Sequence, residues 1–250
     1  MSGYECFADY YDELTANVEY SKIANYILKI LKLNNHNPGR VVDLACGTGS
    51  LTLELAKVGL DVIGVDSSCD MLSVARNKAL EYDKNIFFIC QKMQDLDLGQ
   101  KVDTIICTLD SINHLERKED VQKTFEKVSK NLKKGAYFIF DVNTIYKHDF
   151  ILANNTFVYE TERVFCVWQN SLDDESHRVF INLDFFEEKN GVYFRNSEEF
   201  FENAYREEEI EHMLKKANLE VIDKYDDMTF EPSVKKSERI FYVTRKIENF

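Results

Sequence analysis

The chain has 250 residues, 44% of them hydrophobic, which is enough to bury a full α/β core, and it has no run of about eighteen apolar residues that would form a membrane span. A formal net charge of -13 sets the surface against the phosphate backbone and disfavours nucleic acid as a partner. The six cysteines form no Cys-x-x-Cys pair and the five histidines are scattered, so no metal site is expected, and the cysteines are expected as reduced, mostly buried thiols.

The N-terminus, "MSGYECFADYYDEL", is acidic and aromatic and lacks the charged-then-apolar layout of a signal peptide, so the expected compartment is the cytoplasm. Residues 21–33 carry Ile23, Ile27, Ile30 and Leu31 at helical spacing, and "NNHNPG" stops that helix. "RVVDLA" reads as a short strand, "LTLELAKVG" as a helix closed by Gly59, "LDVIGVD" as a second strand and Met71 to Tyr82 as the next helix. "NIFFICQ" and "VDTIICTL" are the third and fourth strands. Residues 117–132 form a helix ended by Lys133, Lys134 and Gly135, and "AYFIFDV" is the fifth strand. These strands are continuous apolar runs, as in a parallel sheet covered on both faces. Alternating β and α elements make it a doubly wound α/β sheet.

The pattern changes at about residue 156. "TFVYETERVFCVWQ", "HRVFINLDFFEE" and "VYFRNSEEFF" read as three strands, with Asn190-Gly191 as a hairpin turn. Val179, Ile181, Leu183 and Phe185 alternate with more polar neighbours. Residues 206–217 then form a helix with Ile210, Met213 and Leu214 inward, and "EVIDKYD" and "ERIFYVTR" complete the main sheet. The expected organisation is a seven-stranded, mostly parallel sheet built by residues 1–145 and 202–250. An antiparallel β-meander, residues 146–201, is inserted after the fifth strand.

The loop after the first strand, "DLACGTGS", carries the ligand signal. A triphosphate cradle needs a lysine just after its glycines, and none occurs before Lys57. A dinucleotide loop needs a third glycine where Thr52 stands, and Asp43 would sit badly beside a pyrophosphate. A carboxylate there suits a cationic ligand, and S-adenosylmethionine carries an adenosyl group with a sulfonium and no phosphate. Asp66, ending the second strand, has the place of a ribose-binding acid. The plainer alternative is that Gly47 and Gly49 only turn the chain and Asp66 only caps the following helix.

"VVDLACGTGSLTLELAKVGLDVIGVDSSCDML" resembles motif I and the acidic strand end of class I S-adenosylmethionine-dependent methyltransferases. "FADYYDEL" and "LDSINHL" resemble a bacterial small-molecule subgroup with an inserted β-meander. The resemblance implies a Rossmann-like methyltransferase fold. It further implies that Asp43, Ala45, Cys46, Gly47 and Gly49 shape the methionine end, that Asp66 binds the ribose, and that Ser67 and Met71 border the adenine. Lys92 stands where relatives often place an acid for the adenine amino group, and lysine accepts no hydrogen bond. Met93 and backbone groups, or Gln94 or Asp95, would then serve.

The acceptor belongs outside the carboxyl end of the fourth strand, at Thr108 to His114. Leu109 and Asp110 would border the cofactor. His114 could act as base, with Asp110 beside it; alternatively His114 precedes the next helix and Asp110 fixes the turn. Tyr10, Tyr11 and Tyr20 could close over the cofactor as an aromatic lid, with Tyr11 near the chemistry, or pack a first helix on the sheet. The meander could roof the substrate pocket, form a dimer contact or hold its own core. The leading expectation is a methyltransferase for a small-molecule acceptor, monomeric or homodimeric. A protein-directed methyltransferase and a non-catalytic adenosyl-binding or partner-binding module are the alternatives.

Overall fold

In the computed structural model, residues 4–248 are described, without the side chains of residues 4–7 and 9, so the side chains of Cys6, Phe7 and Asp9 lie outside the described residues. Two helices open the chain, α1 (Tyr4–Leu14) and α2 (Tyr20–Leu33). The alternating region follows as β1 (Arg40–Leu44), α3 (Ser50–Lys57), β2 (Asp61–Asp66), α4 (Cys69–Glu81), β3 (Phe87–Cys90), β4 (Val102–Cys107), α5 (Lys118–Asn131) and β5 (Leu132–Asn143). A short helical segment, α6 (Ile145–Lys147) continued as a wider turn at His148–Leu152, leads into a second sheet of β6 (Thr156–Glu160), β7 (Val164–Asp173), β8 (Arg178–Lys189) and β9 (Val192–Glu202). Then α7 (Glu207–Lys216), β10 (Leu219–Asp226) and β11 (Arg239–Lys246) complete the first sheet.

That sheet has the order β10-β11-β5-β4-β1-β2-β3, with β11 antiparallel to both neighbours and the other contacts parallel. Its faces are fed by alternate residues. Val42, Ile105, Phe138 and Tyr242 meet Phe125 of α5 and Leu214 of α7 on one side. Val41, Ile106, Ile139 and Phe241 meet Ile27 and Ile30 of α2 and Leu55 of α3 on the other. Burial on both sides explains why the strands read as unbroken apolar runs. After β3 the chain crosses to the far side of β1, so the loops following β1 and β4 diverge from adjacent strands and leave a crevice between them.

Three details depart from the sequence expectation. The first meander segment is two strands, split at Thr161, whose hydroxyl accepts from the backbone of Val164 at 3.0 Å. A threonine turn without Gly or Pro gives little warning in sequence. The helix α5 ends at Asn131, and Lys133 to Gly135 lie inside β5, where Gly135 (φ 76°) accommodates a register shift against β4. Finally, Cys69 and Cys90 form a disulfide rather than reduced thiols, with Cα atoms 5.7 Å apart, while Cys46, Cys107 and Cys166 are free. The Asn190-Gly191 turn has both residues at positive φ (55° and 78°), as its hairpin demands. Among the described residues no helix is long and apolar enough to cross a membrane.

Candidate active site

The crevice opens into a cavity of about 890 Å³ whose walls come from the loops after β1, β2, β3 and β4, from the N-terminal segment and from β9. The β1 loop forms its floor. Gly47 (φ 53°) sits in the left-handed region, and a Cβ there would meet only open space. Gly49 (φ 73°) is needed for packing as well, since a Cβ would come within 2.9 Å of the Ala75 side chain on α4. Ala45, Cys46 and Gly47 all line the cavity, whereas Gly49 works from beneath it.

Two carboxylates frame this floor. Asp66 accepts the backbone N–H of Gly47 and of Ser68, one on each oxygen and both at 2.8 Å. Each oxygen retains a lone pair, which is the pair of acceptors that two neighbouring hydroxyls need. Burial raises the Asp66 pKa, and the backbone donors counter part of that rise. Asp43 is 2% exposed and accepts from the Thr52 hydroxyl at 2.5 Å. Burial pushes it up to about 7, with the nearby Asp66 charge adding to the shift. Thr52, which marks the missing third glycine, is thus the residue that anchors Asp43.

The N-terminal segment is tied to this loop by a residue the sequence did not single out. Asp12 accepts from Thr48 at 2.6 Å and pairs with Lys78 of α4 at 2.5 Å. Tyr11 and Tyr20 consequently stand on the cavity wall. Burial, with the Tyr20 hydroxyl and three carboxylates nearby, drives the Tyr11 phenol far above its ordinary range, which favours the protonated form. Tyr10 turns away and donates to Glu187 at 2.5 Å within the meander's core.

Ser67, Met71, Lys92 and Met93 line the side beyond Asp66, together with Ser68, Cys69, Asp70 and Gln94. Asp95 is directed elsewhere and pairs with Lys123 at 2.9 Å. The Cys69–Cys90 bond joins the start of α4 to the end of β3 at this corner.

The opposite wall is built on a strained turn. Leu109 and Asp110 both have positive φ (57° and 53°), and their backbone N–H groups donate to the buried Asp141 of β5 at 3.0 and 2.6 Å. Leu109 lines the cavity, while Asp110 sits behind it and is gripped by Arg239 of β11 at 2.5 Å. Burial would raise the Asp110 carboxyl, but Arg239 and His114 hold it well below the usual range. Asp141 moves the other way: burial raises it despite Arg239 at 2.8 Å. Next along, Asn113 donates to the carbonyls of Asn143 and Asn203, which fixes the loop to the ends of β5 and β9. Asp141, Arg239 and these asparagines were not legible as site residues, because nothing local in sequence marks a group that acts across the sheet.

His114 follows Asn113 onto the cavity wall, with Nε2 3.7 Å from Asp110 Oδ2 and 3.9 Å from Glu202 Oε1. Burial would lower its pKa, but the two carboxylates outweigh that and raise it. The ligand atoms of Asp110, His114 and Glu202 lie within 4.8 Å of one another, a grouping that the sequence did not foresee. Arg239 already matches the charge of Asp110 there. The Phe200 ring of β9 lies tilted against the His114 ring, centroids 5.4 Å apart, and Glu198 lies one step further along the same face.

An acidic floor, a ribose-type acid and a glycine turn free of lysine suit a cationic adenosyl ligand. The family described as methyltransferase domain matches residues 41–135. The chain is 32% identical over 245 residues to a protein named as a methyltransferase from Geobacillus sp. (strain WCH70), covering 97% of this chain and 99% of that one. A shorter match, 31% identity over 140 residues, joins 55% of this chain to 52% of a glycine/sarcosine N-methyltransferase from Aphanothece halophytica. The crystal structure of an S-adenosylmethionine-dependent methyltransferase from Clostridium acetobutylicum ATCC 824 matches at 38% identity with a TM-score of 0.88, over 98% of this chain and 99% of that one. The chain belongs to the class I S-adenosylmethionine-dependent methyltransferases.

Proposed function

We propose that the enzyme methylates a small-molecule acceptor held between the β4 loop and β9. The observation that carries this reading is that the cofactor floor and the β9 wall enclose one cavity of about 890 Å³, a small-ligand size. The name of the glycine/sarcosine enzyme, a relative over part of the chain, agrees with it. When bound, S-adenosylmethionine supplies an activated methyl group. The residues of this chain then have to align the acceptor, exclude water and receive a proton. In this reading Asp66 takes the ribose hydroxyls and Asp43 faces the positive methionine end. Ser67, Met71, Lys92 and Met93 border the adenine, Tyr11 and Tyr20 cover the ligand, and His114 accepts the acceptor's proton. Asp110 is a positioning residue for His114 and the Leu109 turn.

The test is release of S-adenosylhomocysteine from enzyme supplied with two fractions of a bacterial extract, one of small metabolites and one of macromolecules. Turnover is expected with the small fraction. Turnover confined to macromolecules, weakening as salt rises, would instead favour a protein acceptor.

The raised pKa of Asp43 gives a pH dependence. A group whose folded pKa is raised contributes stability fully present below the unfolded value of 3.8 and lost as pH rises through about 7. A cationic ligand reverses that preference by favouring the carboxylate, so binding releases a proton below neutrality. Cofactor affinity is expected to fall about tenfold between pH 8 and pH 6. Calorimetric titration in buffers of different ionisation enthalpy would detect the proton. A flat affinity with no proton release would contradict the role of Asp43, and Asp43→Asn is expected to give that flat profile.

A further inference from the structure

Among the described residues, the inner face of the meander holds a carboxyl group that the fold leaves unanswered. Along β9, Glu198, Phe200 and Glu202 share one face, opposite Leu183, Ile181 and Val179 of β8. Glu198 is 8% exposed and lines the cavity, and among the described residues its Oε1 has no hydrogen-bond partner. An ionised carboxylate in such a place is costly unless a cation or donor meets it. Its neighbours are already engaged. Glu202 accepts from Asn143 at 2.9 Å, and Asp120 at the mouth is paired with Arg117 at 2.9 Å. Between the two glutamates stands the Phe200 ring, whose face attracts cations.

We propose that this face receives the methyl acceptor as an ammonium ion, with Glu198 pairing the nitrogen and Phe200 flanking it, so that the acceptor is a small primary or secondary amine. This rests on the small-molecule reading above and deepens it. A neutral alcohol would leave the charge of Glu198 unmatched, and a carboxylate would be repelled by it. An ammonium nitrogen has no free electron pair, so a proton must leave before methylation. That proton passes to the free ring nitrogen of the neutral His114 imidazole and then to water. The freed pair forms the N–C bond as the methyl–sulfur bond breaks with its electrons left on sulfur. Asp110 and Glu202, flanking His114, offset the imidazolium formed beside the substrate.

The experiment is ligand-observed NMR on the full chain loaded with S-adenosylhomocysteine, with cyclohexylamine, N-methylcyclohexylamine, cyclohexanol and cyclohexanecarboxylate as matched probes. The amines are expected to bind in preference to the alcohol and the carboxylate. Glu198→Gln is expected to weaken amine binding about thirtyfold or more while S-adenosylhomocysteine affinity and thermal midpoint stay at wild-type values; Glu198→Asp is expected to recover part of the loss. Equal binding of alcohol and amine, no amine binding, or an unchanged amine affinity in Glu198→Gln would overturn the proposal. Mass spectrometry of products from the small-metabolite fraction separates the two readings. N-methylated products support both, O-methylated products sink the amine site alone, and turnover only in the macromolecular fraction sinks the small-molecule reading itself.

Discussion

Arg239→Leu is expected to cost about 3–5 kcal/mol of folding stability, the range for removing one partner of a buried ion pair. Arg239 reaches from β11 to Asp141 at 2.8 Å and to Asp110 at 2.5 Å, and Asp141 is buried while Asp110 is 17% exposed. Without it, two like charges would face each other across a desolvated gap, and Asp141 would no longer be free to hold the N–H groups of Leu109 and Asp110. The left-handed turn at those residues would keep the Ser111 and Asn113 hydrogen bonds but lose its hold on Asp141, so the His114 loop would loosen. Urea unfolding checks the figure: a loss under about 1 kcal/mol would show that the triad contributes as little as a surface pair. Adding Asp110→Asn to Arg239→Leu is expected to restore part of the stability, because it removes one of the stranded charges.

His114→Gln is expected to lower kcat by about 10²–10⁴-fold with little change in cofactor affinity, the usual worth of a positioned general base. The measurement uses the acceptor recovered from the small-metabolite fraction. The sign of the pH effect follows from the raised pKa of His114: the free imidazole appears only as pH climbs above the ordinary value of 6.5. The wild-type rate should therefore rise through that region and level off, and the variant should lose that limb of the profile. A variant within about threefold of wild type across the profile would leave His114 as a wall residue packed on Phe200 and no more.

The fold was largely legible because each signal was local. Ile23, Ile27, Ile30 and Leu31 lie on one helical stripe and are buried on α2, and the unbroken strands do sit between two helical layers. The grouping of residues on the cavity floor was legible for a related reason. Asp43 to Gly49 and Asp66 to Met71 are short contiguous runs, and their order along the chain matches the order of β1 and β2 in the sheet. What sequence did not reveal depends on distant partners. Asp12 secures the N-terminal tyrosines through Thr48 and Lys78, and Arg239 governs Asp110 from 129 residues away. Glu198 reads as one acid in an acidic strand, and only the register that sets it against Leu183 turns it into a buried charge. Lys92 belongs to the same lesson: it stands on the wall, yet the neighbouring Asp95 is drawn off to Lys123.

The central claim is that this floor holds S-adenosylmethionine with Asp66 on the ribose. Calorimetric titration of S-adenosylhomocysteine into the wild type and Asp66→Ala tests it most directly, with the thermal midpoint of each as the check on folding. The expected result is one site per chain in the wild type and affinity weaker by about thirtyfold or more in the variant, the loss of two charge-assisted hydrogen bonds. Equal affinity in a folded Asp66→Ala protein would contradict the ribose assignment, and no binding to the wild type would contradict the cofactor site as a whole.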